Sequence, residues 1–217
     1  MKKEFSAKPD CITELWPGEL TNGAWQDVIA GIPLPIFLMT GWKSNGRENA
    51  CLQSWSAFAG SDGAFLCLIG SMFPGGHAYQ SLKETGCAVL NFPSRDIYAL
   101  CKKTIENNQW ETDEITASGL TAEPAVSVNA PRIAECFLNL ECTFLWEHPL
   151  LDETGDMTVA LRCTHLCMDS RHYDERRLGR RGEDGYLYNI AAPRNPETGE
   201  AEAFLTGTLT KAAGEEM

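Results

Sequence analysis

The sequence has no long apolar run, few cations and none of the glycine signatures of the nucleotide folds. No stretch approaches the roughly 20 apolar residues of a membrane-spanning helix. The N-terminal "MKKEFSAKPDCITELWPGEL" opens with two lysines, but Asp10 and Glu14 interrupt it before the apolar core of a secretory signal can form. Lys and Arg number 18 against 30 Asp and Glu, a formal net charge of -12. That field repels nucleic acid and anionic membranes, so neither is expected as a partner, and any phosphate must be held by a local cradle of donors. G-x-G-x-x-G is missing, which removes the usual argument for a dinucleotide-binding parallel sheet. G-x-S-x-G is missing too, and with it the serine nucleophile elbow.

What is present fits one globular domain spanning 1–217, with 1–30 as an N-terminal extension and 109–131 as an excursion loop long enough to cover something or pack on a neighbour. Hydrophobic residues make up 43% and charged residues 22%, ordinary for a soluble protein. Nine cysteines, an odd number, read as reduced thiols and place the chain in the cytoplasm.

Two strand-like runs flank Asn45-Gly46, a dipeptide suited to a type I′ turn, and predict a hairpin of Leu34–Trp42 with Arg47–Phe58. "AFLCLIGS" (Ala64–Ser71) is a buried strand, His77–Thr85 a short helix closed by Gly86, "CAVLNFPS" (Cys87–Ser94) a strand, and Arg95–Asn107 a helix. From Arg132 to His148 a period of two puts Ala134, Cys136, Leu138, Leu140, Cys142, Phe144 and Trp146 on one face. Glu135, Asn139, Glu141 and Thr143 fall on the other, so a long half-buried antiparallel strand is expected, with "MTVALRCTHLCMD" as its partner. "SRHYDERRLGRRGEDG" reads as a solvated loop or helix, and "AFLTGTL" as a last strand. Hairpins with a few helices between them point to a mainly β fold with peripheral helices, an antiparallel barrel rather than a doubly wound sheet.

"NACLQSWSAFAG" (Asn49–Gly60) is polar for a strand that only builds core. Alternation puts Asn49, Cys51, Gln53 and Trp55 on one face, with Asn49 and Trp55 roughly 20 Å apart. A flavin needs an apolar wall, amide hydrogen bonds and a donor-rich pocket for its tail. Trp55 suits the wall, the backbone of Ser54–Ser56 the ring contacts, and Asn49 the tail; a core tryptophan and a strand-ending asparagine fit the same residues. "GSMFPGGHAYQSL" runs from a strand end through a glycine pair to a helix start, where free amides favour an anion, and Ser71, His77 and Tyr79 lie beside it. Taken by itself, that segment fits a plain loop with His77 on the surface better than an anion cradle.

Taken in order, the N-G turn, the N-x5-W strand, the Gly/Ser loop, "ETG" and "VLNFPS" resemble the flavin reductase-like family of FMN-binding split barrels, flavoredoxins in particular. The resemblance resumes at "GLTAEPAVSVNAPRIAECFLNLECTF" and again at "LYNIAAPRNPETGE". It implies a homodimeric split β-barrel with one FMN per subunit near the dimer interface, fed by NAD(P)H or a redox partner protein. It carries Asn49, Gln53, Ser54, Trp55 and Ser56 over as flavin contacts, and Ser71, His77 and Tyr79 as phosphate and ribityl contacts. It also leaves open an FMN electron carrier without NAD(P)H activity, or a flavin-free binding module. The chain departs from the family at "SDGAF", at His77, where relatives often have Arg or Asn, and at "WETDEITASG". No catalytic acid or base is assigned. Cys163, His165 and Cys167 in "CTHLC" lack a second ligand pair, so no metal is expected. Arg176, Arg177, Arg180 and Arg181 are balanced by neighbouring acids, among them Glu183 and Asp184.

Overall fold

The computed structural model describes residues 2–153, 155–176, 178–180, 185–192, 194, 195, 197, 198, 200 and 206–209. The chain divides into two compact units. The smaller joins Met1–Leu34 to Tyr188–Gly207 and holds the short helices α1 (Glu19–Asn22) and α2 (Trp25–Ala30). Its internal tie is Arg194, which donates from Nε to the Thr13 carbonyl at 2.7 Å and pairs through Nη2 with Glu19 at 2.7 Å.

After the two-residue strand β1 (Leu34–Pro35), the larger unit, Pro35–Leu187 with Thr208–Met217, carries β2 (Phe37–Trp42), β3 (Glu48–Gln53), β4 (Ser56–Ser61) and β5 (Ala64–Met72). Helix α3 (His77–Thr85), strand β6 (Cys87–Phe92), helix α4 (Tyr98–Glu106) and helix α5 (Glu114–Ala117) follow. Then come β7 (Ala122–Pro124), β8 (Pro131–Ile133), β9 (Leu138–Pro149), β10 (Met157–Met168) and a small pair, β11 (Tyr173–Asp174) with β12 (Gly179–Arg180). Seven strands form one antiparallel sheet in the order β3-β2-β6-β9-β10-β5-β4.

The two edges of that sheet, β3 and β4, are consecutive in sequence. Laid flat, seven strands at about 4.8 Å spacing would hold them nearly 30 Å apart. Only Ser54 and Trp55 connect Gln53 to Ser56, a reach of about 11 Å at full extension. The sheet therefore has to roll up until its edges meet, without pairing to each other: a mainly β, antiparallel split barrel.

Both faces of the barrel wall are covered on one side. Phe37, Met39, Ile69, Leu90, Leu140, Val159 and Leu161 fill the interior, while Leu38, Ala50, Cys101, Ile115, Leu120 and Ile133 pack between the wall and α4, α5 and the 109–131 segment. This is why β2 and β6 read as unbroken apolar runs: each side chain that points outward meets a second layer. Fully burying one of these side chains contributes roughly 1.5–3 kcal/mol.

Several expectations change. The strand read as Arg47–Phe58 is two strands broken at Ser54–Trp55, because a chain that leaves one barrel edge for the other cannot stay extended in one ladder. Trp55 therefore does not share a strand face with Asn49. The hairpin turn is the Lys43–Gly46 turn, closed by the Gly46 amide on the Lys43 carbonyl at 2.9 Å, with Gly46 at φ 79° and Asn45 not in the left-handed region, so it is not type I′. The predicted helix Arg95–Asn107 starts as a 3-10 turn at Arg95–Ile97. The long strand begins at Leu138, since Pro131–Ile133 pairs with β7 instead. Its polar face is not solvated: Asn139 and Glu141 are 6% and 0% exposed. Helix α3, by contrast, has the expected bounds, ended by Gly86 at φ 69°. Within the charged segment, Arg177, Arg181, Glu183 and Asp184 lie outside the described residues, as do Ala203–Leu205 of the last strand, of which Thr206–Leu209 is extended. No helix among the described residues is long and apolar enough to cross a membrane.

Candidate functional site

A cavity of about 300 Å³ opens where the split exposes the edge of β3. Its walls are residues 49–53 of β3, residues 71–73 at the end of β5, residues 76–79 at the start of α3, and Thr104, Ile105 and Asn108 from α4 and its C-terminal end. Five of the eight residues singled out in the sequence line it: Asn49, Gln53, Ser71, His77 and Tyr79. Ser54, Trp55 and Ser56 do not; they form the crossover between the barrel edges, where the Trp55 carbonyl accepts from Gly70 N at 2.9 Å and the residue as a whole is 37% exposed.

The glycines ahead of α3 let the loop turn closely around Phe73. A Cβ at Gly75 would stand 2.5 Å from the exposed Phe73 ring and push it aside, and one at Gly76 would come within 3.2 Å of the Phe73 carbonyl oxygen. Gly76, at the N-cap, brings no side-chain cap, and the amides of His77, Ala78 and Tyr79 in the first turn have no carbonyl four residues back inside the helix. The nine-residue helix thus points uncapped amides at the cavity wall. Opposite, Asn49 is 2% exposed, and its Nδ2 has no hydrogen-bond partner. A buried amide left unpaired costs about 1–3 kcal/mol, which a ligand oxygen would recover.

The polar groups around this wall are held by acids. Ser71, which sits at φ 54°, a conformation rare for any residue but glycine, donates from Oγ to Asp156 at 2.8 Å. Tyr79 donates to Glu147 at 2.9 Å, and Lys83 meets the other oxygen of that carboxylate at 2.9 Å. Each hydroxyl has one proton, so neither Ser71 nor Tyr79 retains one for an anion in this arrangement. His77 Nδ1 lies 3.3 Å from Glu114 Oε1, and the His77 ring meets the edge of Trp110 at 5.1 Å. Burial pushes the Cys51 thiol in the cavity wall up to about 11, the bond from Gln53 working against it and the nearby Glu114 charge with it. At neutral pH Cys51 is a protonated, unreactive thiol.

The residues missed from sequence are Lys43 and Glu114. Lys43 follows β2 and would ordinarily be solvated. Its side chain is instead 0% exposed, donating to the carbonyls of Gln109 and Thr112 at 2.8 Å each and pairing with Glu114 Oε1 at 2.8 Å. Glu114 Oε2 accepts the backbone amide of Ala50 at 2.8 Å. The excursion loop is pinned to the hairpin further by Arg47 with Asp113 and by Asn45 with the Trp110 carbonyl. Backbone amide and guanidinium bonds hold Asp113 below the usual carboxylate range. The segment packs over β3 and meets the cavity wall directly, Glu114 at Ala50 and His77, and Trp110 at His77. Among the described residues no group of three His, Cys, Asp or Glu side chains is arranged to hold a metal.

Residues 29–165 match the family model described as flavin reductase like domain. Among solved structures, the flavoredoxin of Desulfovibrio vulgaris (Miyazaki F) superposes with TM-score 0.70 at 16% identity, covering 85% of this chain and 91% of its own. Nitrilotriacetate monooxygenase component B from Bacillus cereus gives 0.72 at 16% identity, covering 94% and 98%. An FMN-binding protein from Thermus thermophilus with bound 1-cyclohex-2-enone gives 0.67 at 13% identity over 100% of both chains. At such identities these likenesses establish the fold alone. No curated protein sequence matches.

Proposed function

Because this chain belongs to the flavin reductase-like domain family, we propose that it is a redox protein that works through one noncovalently held FMN at the cavity beside α3. The observation that carries the reading is Asn49, a buried amide nitrogen without a protein partner, on the wall of a cavity whose other side is an uncapped helix start. The first-turn amides of α3 would take the phosphate, Asn49 the ribityl tail, and the backbone at Gln53–Ser56 with the Trp55 ring the flavin ring. Bound flavin would supply the hydride and electron chemistry that no side chain here provides.

The chain's own residues then act by binding and shielding. Gln53 is committed through Nε2 to the Cys51 sulfur at 3.3 Å, which leaves its carbonyl oxygen for a ring N–H. Cys51, being protonated, does not compete as a nucleophile. The electrons would come from NAD(P)H or from a redox partner protein. A homodimer is part of the same reading: Phe73 and Ile105 line the cavity yet are 68% and 63% exposed. A 300 Å³ cavity is also at the small end of the ~300–1,000 Å³ typical of ligand sites. A second copy would cover what one leaves open. The nine unpaired thiols suit a reducing compartment, the cytoplasm.

The test is a visible spectrum of the freshly purified protein with and without added FMN, followed by release and quantification of the flavin. One FMN per chain is expected, with steady oxidation of NADH or NADPH. Flavin without that oxidation would make the protein an electron carrier, and a colourless protein that leaves added FMN unperturbed would remove the reading.

A further inference from the structure

We propose that His77, held by the buried Lys43–Glu114 ion pair, is the residue that selects a phosphorylated flavin over a dephosphorylated one, and that phosphate binding there draws a proton onto its ring. This rests on the FMN reading of the same cavity.

Three elements that sequence keeps far apart meet at this point. Lys43 comes from the hairpin, Glu114 from the excursion loop and His77 from the first residue of α3. The Lys43 ammonium is completely enclosed and spends its protons on two backbone carbonyls at 2.8 Å and on Glu114. Glu114, 1% exposed, is thereby kept as an acceptor, with one oxygen on Lys43 and His77 and the other on the Ala50 amide. A carboxylate in that state can only accept from His77, so Nδ1 must carry a hydrogen. The neutral ring then has a bare lone pair on Nε2, the nitrogen left for a ligand, and that lone pair repels a phosphate oxygen. Only the imidazolium presents an N–H there. Trp110, edge-on at 5.1 Å, limits the ring's freedom to turn over and exchange the two nitrogens.

The other ionisable groups nearby do not substitute for it. Among the described residues that line the cavity none is Lys or Arg, and the two other titratable ones are Cys51 and Tyr79, the first protonated and the second tied to Glu147. Arg47 is spent on Asp113, on the outer side of the same loop. Lys83, one face of α3 further on, is spent on Glu147. The net charge of -12 adds a background that disfavours a dianion. His77 is thus the lining side chain able to offset phosphate charge, and it does so only with a proton added. Glu114 is a positioning residue, acting through the tautomer it imposes.

The experiment titrates FMN and riboflavin into the full chain between about pH 6 and 8.5. Proton uptake is read by calorimetry in buffers of different ionisation enthalpy. At the alkaline end FMN affinity should weaken by up to about tenfold per pH unit, the slope of one linked proton, with uptake approaching one proton per FMN, while riboflavin affinity stays level. In His77→Gln, a partly buried position whose folding is checked by circular dichroism, the preference for FMN should fall about tenfold at pH 6 and lose the wild-type slope. The phosphate's own second ionisation is common to both proteins and divides out of that comparison. An FMN-to-riboflavin ratio that is level with pH, no proton uptake, or an unchanged ratio in His77→Gln would each overturn the proposal while leaving the flavin site standing. Failure of both flavins to bind would overturn the site and the proposal together.

Discussion

Glu114 and Glu141 are two carboxylates that the same excursion loop uses as fasteners, and they end differently. Each is at most 1% exposed. Glu114 belongs to the loop and reaches down to the barrel, onto the Ala50 amide. Glu141 belongs to the barrel wall and reaches up, accepting Val126 N at 2.9 Å and Ser127 N at 2.5 Å from the loop, with Arg132 3.8 Å away. Burial pushes the Glu141 carboxyl up, but the two loop amides outweigh it and hold the group below its usual range. The Glu141 fastener is closed on itself: amides and a partly buried arginine meet one acid, and none of these residues lines the cavity beside α3. The Glu114 fastener continues, through His77, into the cavity wall. A buried charge is costly, and a fold that needs only to hold a loop can do so with backbone amides, as at Glu141. Where an enclosed lysine is added as well, the surplus of charged groups points to a role beyond fastening.

The comparison is broken most severely by Glu114→Ala, which leaves the enclosed Lys43 ammonium without its counter-ion. A loss of about 3–5 kcal/mol is expected by chemical denaturation, together with loss of flavin binding. Glu141→Ala orphans two loop amides and should cost about 2 kcal/mol, with flavin affinity unchanged in the folded protein. If both variants lose flavin equally, the two fasteners are not distinct in function. Asn49→Ala removes the unpartnered amide; stability should stay within about 1 kcal/mol while FMN binding weakens about tenfold, read by fluorescence titration.

The acid limb of stability sharpens the contrast further. The Glu141 carboxyl has a folded value below its ordinary 4.5, so its contribution is complete above that value and lost as pH falls through the folded one. The stability gap between wild type and Glu141→Gln should therefore narrow on acidification below about pH 4.5. A gap that widens there would contradict the amide clasp. The smallest effect expected is a few-fold drop in flavin occupancy in Trp55→Ala, since that ring sits at the crossover rather than in the cavity wall. Full occupancy with an unaltered visible spectrum would remove Trp55 from the site.

Much of the local structure could be read from residues one turn or one strand apart. Helix α3 could be bounded because Gly86 at its end needs positive φ and the alternation on either side changes period. Asn49, His77 and Tyr79 could be picked out because polar residues in strand ends and glycine loops are unusual in a core, while Gln53 and Ser71 come from the resemblance to the family. The misreadings share one cause. Alternation reports two different faces of a strand, not what lies on each, so it leaves Glu141 and Asn139 on the half expected to be solvated. Periodicity also continues smoothly through a strand break, and so joins Trp55 to Asn49.

The sequence by itself determined helix α3, the antiparallel hairpins and the shortage of cations that any anion site here must work around, since these depend on near neighbours and on composition. It carried, in the two residues between Gln53 and Ser56, the constraint that rolls the barrel, though that became readable only once the pairing order placed β3 and β4 at opposite edges. Tertiary structure alone decided that Lys43 is enclosed and that Glu114 meets it from 71 positions along the chain. Burial of a charge depends on which distant backbone folds over it, and no local pattern encodes that.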